Sequence, residues 1–140
     1  MPFTYEYPRP AVSADVVVLD SDSILLIKRL KDPFAGCWAL PGGFMDMDES
    51  ADVAAIRELK EETGLVVDSV QQIGAYSEVD RDPRGRVVTI AFFATASQSD
   101  HFAAADDAVD AQWFSISELP DLAFDHARII ADALDRFSTK

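Results

Sequence analysis

Three glutamates that lie close together in the sequence are the strongest candidates for a metal-binding or catalytic role in this chain. The stretch runs from Gly43 to Leu65, and Glu58, Glu61 and Glu62 lie near its end. On a helix, which turns about 100° per residue, the three carboxylates share one face. Like charges placed in this way destabilise a helix unless a cation offsets them. Mg²⁺ and Mn²⁺ are hard cations that prefer oxygen ligands, so the pattern predicts a divalent cation site.

An ordinary solvated acidic face is the alternative interpretation of these glutamates. Runs of charge usually lie on solvent-exposed faces, and Arg57 and Lys60 could partly neutralise this one. The three glutamates alone favour that alternative. The residues around them favour the cation site instead.

The surrounding sequence predicts a loop, a helix and a stop that would hold the glutamates in place. Helical periodicity begins at about Ser50, and strong helix formers dominate from there. Asp48 or Ser50 can cap the start by accepting hydrogen bonds from free amides. Gly64 ends the helix, because glycine adopts the left-handed C′ conformation at little cost. Gly42 and Gly43, before the loop, allow a metal or phosphate to approach the backbone.

The spacing of the whole stretch resembles a known signature, the Nudix box. After Gly43, five residues precede Glu49, seven more precede Arg57-Glu58-Leu59, and Lys60, Glu61-Glu62, Thr63 and Gly64-Leu65 follow. Every defined position of the box is matched, in a chain of the usual Nudix domain size. Nine fixed positions in one window are far more specific than a lone glycine motif. The chain therefore resembles the Nudix hydrolases, and most of all their small ADP-ribose pyrophosphatases.

The order of predicted elements places the chain in the α/β class. The strand-like segments are Ala11 to Leu19, Ile24 to Arg29, Val66 to Tyr76 with a kink near Gly74, Val87 to Thr95 and Ala111 to Ser115, and Phe124 to Phe137 is a closing amphipathic helix. The resemblance implies more: an α/β/α sandwich in which a mixed β-sheet lies between the Nudix helix and the closing helix. The 140 residues fit a single Nudix domain over residues 1–140, with the box at 43–65. His126, near the start of the closing helix, is interpreted as a capping or packing residue.

The resemblance also implies roles for the acidic residues and their neighbours. Glu58 and Glu62 would be the principal ligands of Mg²⁺ or Mn²⁺, and Glu61 would complete the set directly or through water. A backbone carbonyl near the glycines joins such sites, and Gly42 is the candidate. The same resemblance gives Arg57 the role of orienting the carboxylates.

Glu49 would then tie the loop to the helix, supporting the metal ligands from behind. Many Nudix enzymes place a further acidic residue, a metal ligand or general base, in the loop before the last strand. Asp107 is the candidate here and Asp106 the second choice, although a solvated acidic loop is the alternative.

Basic and aromatic residues elsewhere are candidates for binding a phosphorylated substrate. Arg81, Arg84 and Arg86 fall within six residues of an otherwise acidic chain, and guanidinium groups bind phosphates bidentately. A solvent-exposed hairpin tip is the alternative for this loop. Arg29 ends a strand and could reach a phosphate, and Trp38 could stack on a base or pack in the core.

The overall charge limits the partners of the chain. Its formal net charge is −13, from 25 acidic and 12 basic residues, which argues against nucleic acid or anionic membranes. A bound divalent cation would resolve the conflict with a phosphate substrate. Cys37 is the only cysteine, no apolar run approaches the ~18 residues of a membrane span, and no signal peptide is evident. We therefore expect a cytoplasmic protein that binds a small nucleotide.

The leading functional prediction is metal-dependent hydrolysis of the pyrophosphate in ADP-ribose or a related nucleoside diphosphate sugar. Hydrolysis of oxidised nucleoside triphosphates is the alternative within the same class. A non-catalytic sensor of ADP-ribose is the alternative of another class, although the complete box and the absence of room for a winged helix weigh against it. Relatives are often homodimers, and the aromatic arm at residues 1–10 is a candidate dimer contact.

Overall fold

A computed structural model describes residues 4–98 and 110–137 of the chain. The strands are β1 (Ala11–Asp20), β2 (Ser23–Lys28), β3 (Trp38–Ala39), β4 (Gly42–Phe44), β5 (Gln71–Tyr76), β6 (Val87–Thr95) and β7 (Ala111–Ser115). The helices are α1 (Ala51–Thr63) and α2 (His126–Phe137), with a short 3₁₀ turn at Ile116–Glu118. In these two ranges no helix is both long and apolar enough to cross a membrane.

The strands form one mixed sheet centred on β1. The main order is β3-β2-β1-β6-β5, while β4 also pairs with β1 and β7 with β2. β1 and β6 run parallel from Ala11–Val87 to Leu19–Thr95, and the other pairings are antiparallel. The middle of β1 is fully buried, as its continuous run of valines predicts for a strand covered on both faces.

Each face of the sheet is covered by one helix, because side chains alternate across a strand. Val16, Val18 and other residues of one face pack with the apolar side of α1. Val17 and Leu19 point the other way and pack with Ile129 and their neighbours in α2. The predicted α/β/α sandwich with a mixed sheet is therefore confirmed.

The predicted element bounds agree with the structure over much of the chain. α1 follows Ser50 at its N-cap and ends at Gly64, which has φ 80° and whose amide donates to the Lys60 carbonyl. The Ser50 side chain makes no capping bond, because its hydroxyl donates to Asp52 instead. β6 and β7 have the predicted bounds.

Two elements are shorter than predicted. The strand expected over residues 66–76 begins at Gln71, since Val67 and Val70 pack against the α1 side of the core instead of pairing in the sheet. Its predicted kink is present as a register shift between Gln72 and Gly74. The closing helix starts at His126, because Phe124 has φ 52°, which no right-handed helix admits.

Strand β4 brings the start of the Nudix box against the central strand. Gly42 lies opposite Asp15 in the antiparallel register. A Cβ added at Gly42 would lie 2.0 Å from Asp15 Oδ1 and 2.5 Å from the Ala14 carbonyl oxygen. A Cβ at Gly43 would lie 2.6 Å from the Glu58 carboxylate. Gly42 therefore requires glycine for space, because backbone atoms of β1 are among its close neighbours, and the close approach at Gly43 places the loop backbone beside the Glu58 carboxylate.

We expect Gly42→Ala to destabilise the protein by about 2 kcal/mol or more, because β4 or β1 must move to relieve the clash. Gly74→Ala is the matched control, since an added Cβ there meets nothing within 4 Å. Urea unfolding of both variants measures the difference. Equal stability of the two variants would contradict the close approach.

Candidate functional site

Arg57 is the hub that joins the loop of the Nudix box to helix α1. Its Nε and Nη2 donate to the two carboxylate oxygens of Glu49 at 2.9 and 2.6 Å. Nη2 also donates to the Phe44 carbonyl at 3.2 Å. Glu49 in turn accepts a hydrogen bond of 2.8 Å from the backbone amide of Asp46. Both ends of the loop are thereby tied to one guanidinium.

The same guanidinium orients the carboxylates next to it on the helix. Its Nη1 donates to Glu58 at 2.8 Å and to both oxygens of Glu61 at 3.2 Å. Hydrogen bonds from Arg57 hold the pKa of Glu49 at about 2, so this carboxylate stays charged. Arg57 thus holds the acidic cluster of the box together.

Glu62 lies apart from that hub, and among the described residues no lysine or arginine lies within ion-pair distance of it; the charge of Arg29 acts on it from farther away. It is largely enclosed, and its Oε1 accepts the Gly42 amide at 2.7 Å. Burial is the main cause that raises the pKa of Glu62 to about 8; the charges of Glu58 and Asp15 add to it, and the hydrogen bond from the Gly42 amide opposes it. Negative charge is therefore in excess around Glu62.

Glu58 is half-buried between Arg57 and Gly43. Burial raises its pKa, and the hydrogen bond and charge of Arg57 oppose that shift. Its carboxylate lies against the Gly43 backbone, as the space at that glycine shows.

The donor set fits a hard divalent cation. The carboxylates of Glu58, Glu61 and Glu62 and the backbone of Gly42 offer oxygen atoms, which Mg²⁺ and Mn²⁺ prefer. A cation would also offset the charge that raises the pKa of Glu62. As these side chains are placed, no three acidic, histidine or cysteine residues in the described ranges converge closely enough to hold an ion.

A cavity of about 230 Å³ opens beside Glu62 and the glycines. Polar residues on its wall include Asp15, Arg29, Arg81, Asp82, Arg84 and His126, and Phe44 and Phe124 are its aromatic residues. The carboxylate of the box therefore borders a space that contains three guanidinium groups. This arrangement suits a polyanion that reaches from a cation site into the cavity.

The three arginines of the cavity differ in what holds them. Arg81 is 4% exposed and donates two hydrogen bonds to Asp125, at 2.9 and 2.6 Å. Arg84 is 45% exposed and pairs with the buried Asp82. Arg29 donates to the Pro33 carbonyl, and in the described ranges no carboxylate lies within ion-pair distance of it.

Two predicted substrate residues lie elsewhere. Trp38 packs edge-on against Phe114 in the core on the α2 side, and Arg86 donates to the Glu78 carbonyl. Neither is on the wall of this cavity. Asp106 and Asp107 lie outside the described residues.

Sequence reasoning missed five polar residues of the cavity wall: Ser13, Asp15, Asp82, Thr89 and a cavity-facing His126. His126 has the packing role that was expected, since its Nδ1 accepts the Leu40 amide at 3.0 Å. A signal for Asp15 was present, because Ser13 and Asp15 share one face of a strand that is otherwise buried and apolar.

Glu62 should make the stability of the protein depend on pH when EDTA keeps divalent ions away. In the unfolded chain this carboxyl releases its proton near its ordinary pKa of 4.5, and in the folded protein near 8. Between these values the folded state binds more protons, so stability falls as pH rises. We expect the Tm of wild type to fall more between pH 5.5 and 8.5 than that of Glu62→Gln.

The matched control for this measurement is Glu118→Gln, which removes an exposed carboxylate in the 3₁₀ turn. Thermal unfolding of the three proteins across the pH range gives the comparison. Parallel curves for wild type and Glu62→Gln would show that the Glu62 carboxyl is not perturbed.

Comparison with known proteins agrees with this geometry. The NUDIX domain family matches residues 9–133. An ADP-ribose pyrophosphatase of Methanocaldococcus jannaschii is 47% identical over 126 residues, covering 90% of this chain and 74% of that protein. The ADPR responsive transcriptional repressor NtrR of Acinetobacter baylyi is 32% identical over 143 residues, covering 96% of this chain and 57% of the repressor.

A solved structure shows the same likeness. The NUDIX domain of Shewanella oneidensis NrtR, complexed with ADP ribose, is 31% identical and superposes with a TM-score of 0.81, covering 94% of this chain and 91% of that one. The family match spans most of the chain, and it includes the complete acidic box and the helix that presents it. The chain therefore belongs to the Nudix family.

Proposed function

We propose that this protein is a divalent-metal-dependent hydrolase that cleaves the pyrophosphate of ADP-ribose or a related nucleoside diphosphate sugar. ADP-ribose would give AMP and ribose 5-phosphate. The observation that carries the proposal is the cavity that joins Glu62 to the guanidinium groups of Arg29, Arg81 and Arg84. The similarity to an ADP-ribose pyrophosphatase supports the choice of substrate.

The box residues would hold the metal and keep its ligands in place. Glu58 and Glu62 would bind Mg²⁺ or Mn²⁺, together with Glu61 and the Gly42 carbonyl. When bound, the cation neutralises the phosphate oxygens and lowers the pKa of the attacking water. Arg57 would steady the carboxylates through its hydrogen bonds to Glu58 and Glu61.

Glu49 supports Arg57 from the loop and so belongs to the same catalytic unit. Asp107, or Asp106 in its place, remains the candidate for a general base or a further metal ligand. The cavity arginines would bind the phosphate groups of the substrate. Arg81 and Arg84 each form an ion pair with an aspartate, whereas Arg29 forms none with the described residues.

The substrate is tested by a panel of nucleotides with Mg²⁺ or Mn²⁺, in which released monophosphates are measured after coupling to a phosphatase. We expect the highest kcat/KM with ADP-ribose and loss of turnover in EDTA. Preference for an oxidised nucleoside triphosphate would favour the alternative hydrolase. Tight binding of ADP-ribose without turnover would favour a sensor, the function to which the likeness to NtrR and NrtR points.

We further propose that the protein is cytoplasmic, acts on a small molecule and forms one Nudix domain over residues 1–140. Its net charge of −13 supports a small-molecule substrate over nucleic acid or a membrane. A homodimer through the N-terminal arm is tested by sedimentation of the full chain and of a variant without residues 1–10. Trp38 and Arg86 stay candidates for substrate binding in a complex that differs from this structure.

We expect Glu58→Gln and Glu62→Gln each to lower kcat by about two orders of magnitude or more, because an amide lacks the charge that holds the cation. Both variants should fold, since glutamine keeps the shape and one acceptor oxygen. Steady-state kinetics with circular dichroism measures both properties. Asp22→Asn, an exposed carboxylate in the β1–β2 turn, is the control, and turnover near the wild-type value in either glutamine variant would reject the assignment.

We expect Arg84→Ala to raise KM for ADP-ribose about tenfold and to change kcat less. The loss of one charge-assisted hydrogen bond to phosphate, about 1.4 kcal/mol, accounts for this change. Arg86→Ala is the matched control, because Arg86 belongs to the same loop but lies off the cavity. KM values equal to that of wild type in both variants would show that the loop does not bind substrate.

A further inference from the structure

We propose that Asp15 is a specificity-determining residue, which accepts a hydrogen bond from a hydroxyl or amino group of the nucleotide substrate. The inference rests on the proposed function, because it takes the cavity to be the nucleotide site. It concerns the central strand β1, which lies outside the Nudix box. None of the roles assigned above uses this side chain.

The position of Asp15 is unusual for a carboxylate. It is 7% exposed, on the strand that forms the middle of the sheet, and the residues that follow it are buried valines. Burial of a charge is costly unless a partner compensates it. In the described ranges no lysine or arginine lies within ion-pair distance of Asp15. His126 lies within that distance. A buried acceptor that borders a cavity and lacks a cationic partner is suited to a ligand donor.

Its polar neighbours on the same wall satisfy each other. Ser13, two residues away on the same face of β1, lies opposite Thr89 of β6. The two hydroxyls share a hydrogen bond of 2.6 Å. Because these two hydroxyls bond each other, they do not use the capacity of the Asp15 carboxylate to accept hydrogen bonds.

His126 lies beside one of the two oxygens of the Asp15 carboxylate. Its Nδ1 accepts the Leu40 amide at 3.0 Å, so the hydrogen of the neutral ring is on Nε2. Nε2 lies 3.4 Å from Asp15 Oδ2, within ion-pair distance, without a hydrogen bond between them. Oδ1 is the other oxygen, and it lies against the backbone of Gly42, which lines the same cavity. Neither oxygen accepts a hydrogen bond from a residue that the structure describes, so the carboxylate keeps acceptor capacity for a donor of the substrate.

The chemistry of this oxygen selects its ligand. A phosphate oxygen would be repelled by a carboxylate, whereas the cavity arginines attract it. A neutral donor is favoured instead, and an ADP-sugar has two kinds: ribose hydroxyls and the 6-amino group of adenine. Asp15 would therefore bind the nucleoside or sugar part of the substrate and not its phosphates.

Replacement of Asp15 by asparagine reverses the polarity of that wall. Because His126 Nε2 lies on the side of Oδ2, the amide oxygen of asparagine should take that place. Its NH₂ group would then take the place of Oδ1 on the cavity wall. Asp15→Asn thus substitutes a donor for an acceptor at nearly constant volume.

The experiment compares kcat/KM for ADP-ribose with that for three analogues, using wild type, Asp15→Asn and Asp22→Asn. One analogue has hypoxanthine in place of adenine and lacks the amino group, and the other two lack the 2′-hydroxyl of one ribose each. We expect wild type to prefer ADP-ribose over one analogue by about tenfold or more. Asp15→Asn should reduce that preference at least fivefold, and Asp22→Asn should keep it. The analogue affected identifies the donor.

Unchanged preferences for all three analogues in a folded Asp15→Asn protein would overturn the inference and leave the proposed function intact. If Asp15→Asn fails to fold, Asp15→Ser provides the same comparison. If wild type hydrolyses none of the compounds, the proposed function fails, and calorimetric Kd values for the same compounds replace kcat/KM. Equal Kd ratios in wild type and variant, or no binding, would then overturn the inference as well.

Discussion

The contact between the Glu62 carboxylate and the backbone of Gly42 is the constraint on which the site depends. It joins helix α1 to strand β4 by a hydrogen bond of 2.7 Å, and β4 lies against Asp15 with no space for a side chain at Gly42. Two carboxylates therefore flank one glycine, and burial raises the pKa of Glu62 to about 8. Such an arrangement is unfavourable for the protein alone and becomes favourable when a cation is bound.

Arg57 reduces the charge repulsion within the same helix. Glutamates at neighbouring helical positions repel each other, and the Arg57 guanidinium, which donates hydrogen bonds to Glu49, Glu58 and Glu61, offsets this repulsion. The hub also ties the loop of the box to the helix through the Phe44 carbonyl. Arg57 makes no ion pair with Glu62, and a bound metal ion would favour the ionised form of that carboxyl beside the cavity.

Local elements could be predicted from the sequence, and long-range contacts could not. Gly64 and the helix-forming residues before it predicted α1 and its end, because capping and periodicity are local properties. The pairing of Arg81 with Asp125, 44 residues away, depends on how β-strands and α2 meet. The loop arginines predicted as one group therefore separate: Arg81 and Arg84 lie on the cavity wall, each paired with a carboxylate, and Arg86 lies elsewhere. The residues of the cavity wall outside the box were likewise set by topology, since β1 and β6 meet only in the folded sheet.

Glu62 and the backbone around Gly42 would together form the cation site of this protein. Titration with Mn²⁺, followed by electron paramagnetic resonance, measures the affinity of that site in wild type, Glu62→Gln and the exposed control Glu118→Gln. We expect Glu62→Gln to bind Mn²⁺ about tenfold or more weakly and Glu118→Gln to bind it as tightly as wild type. Equal Mn²⁺ affinity in all three proteins would show that Glu62 is not a ligand.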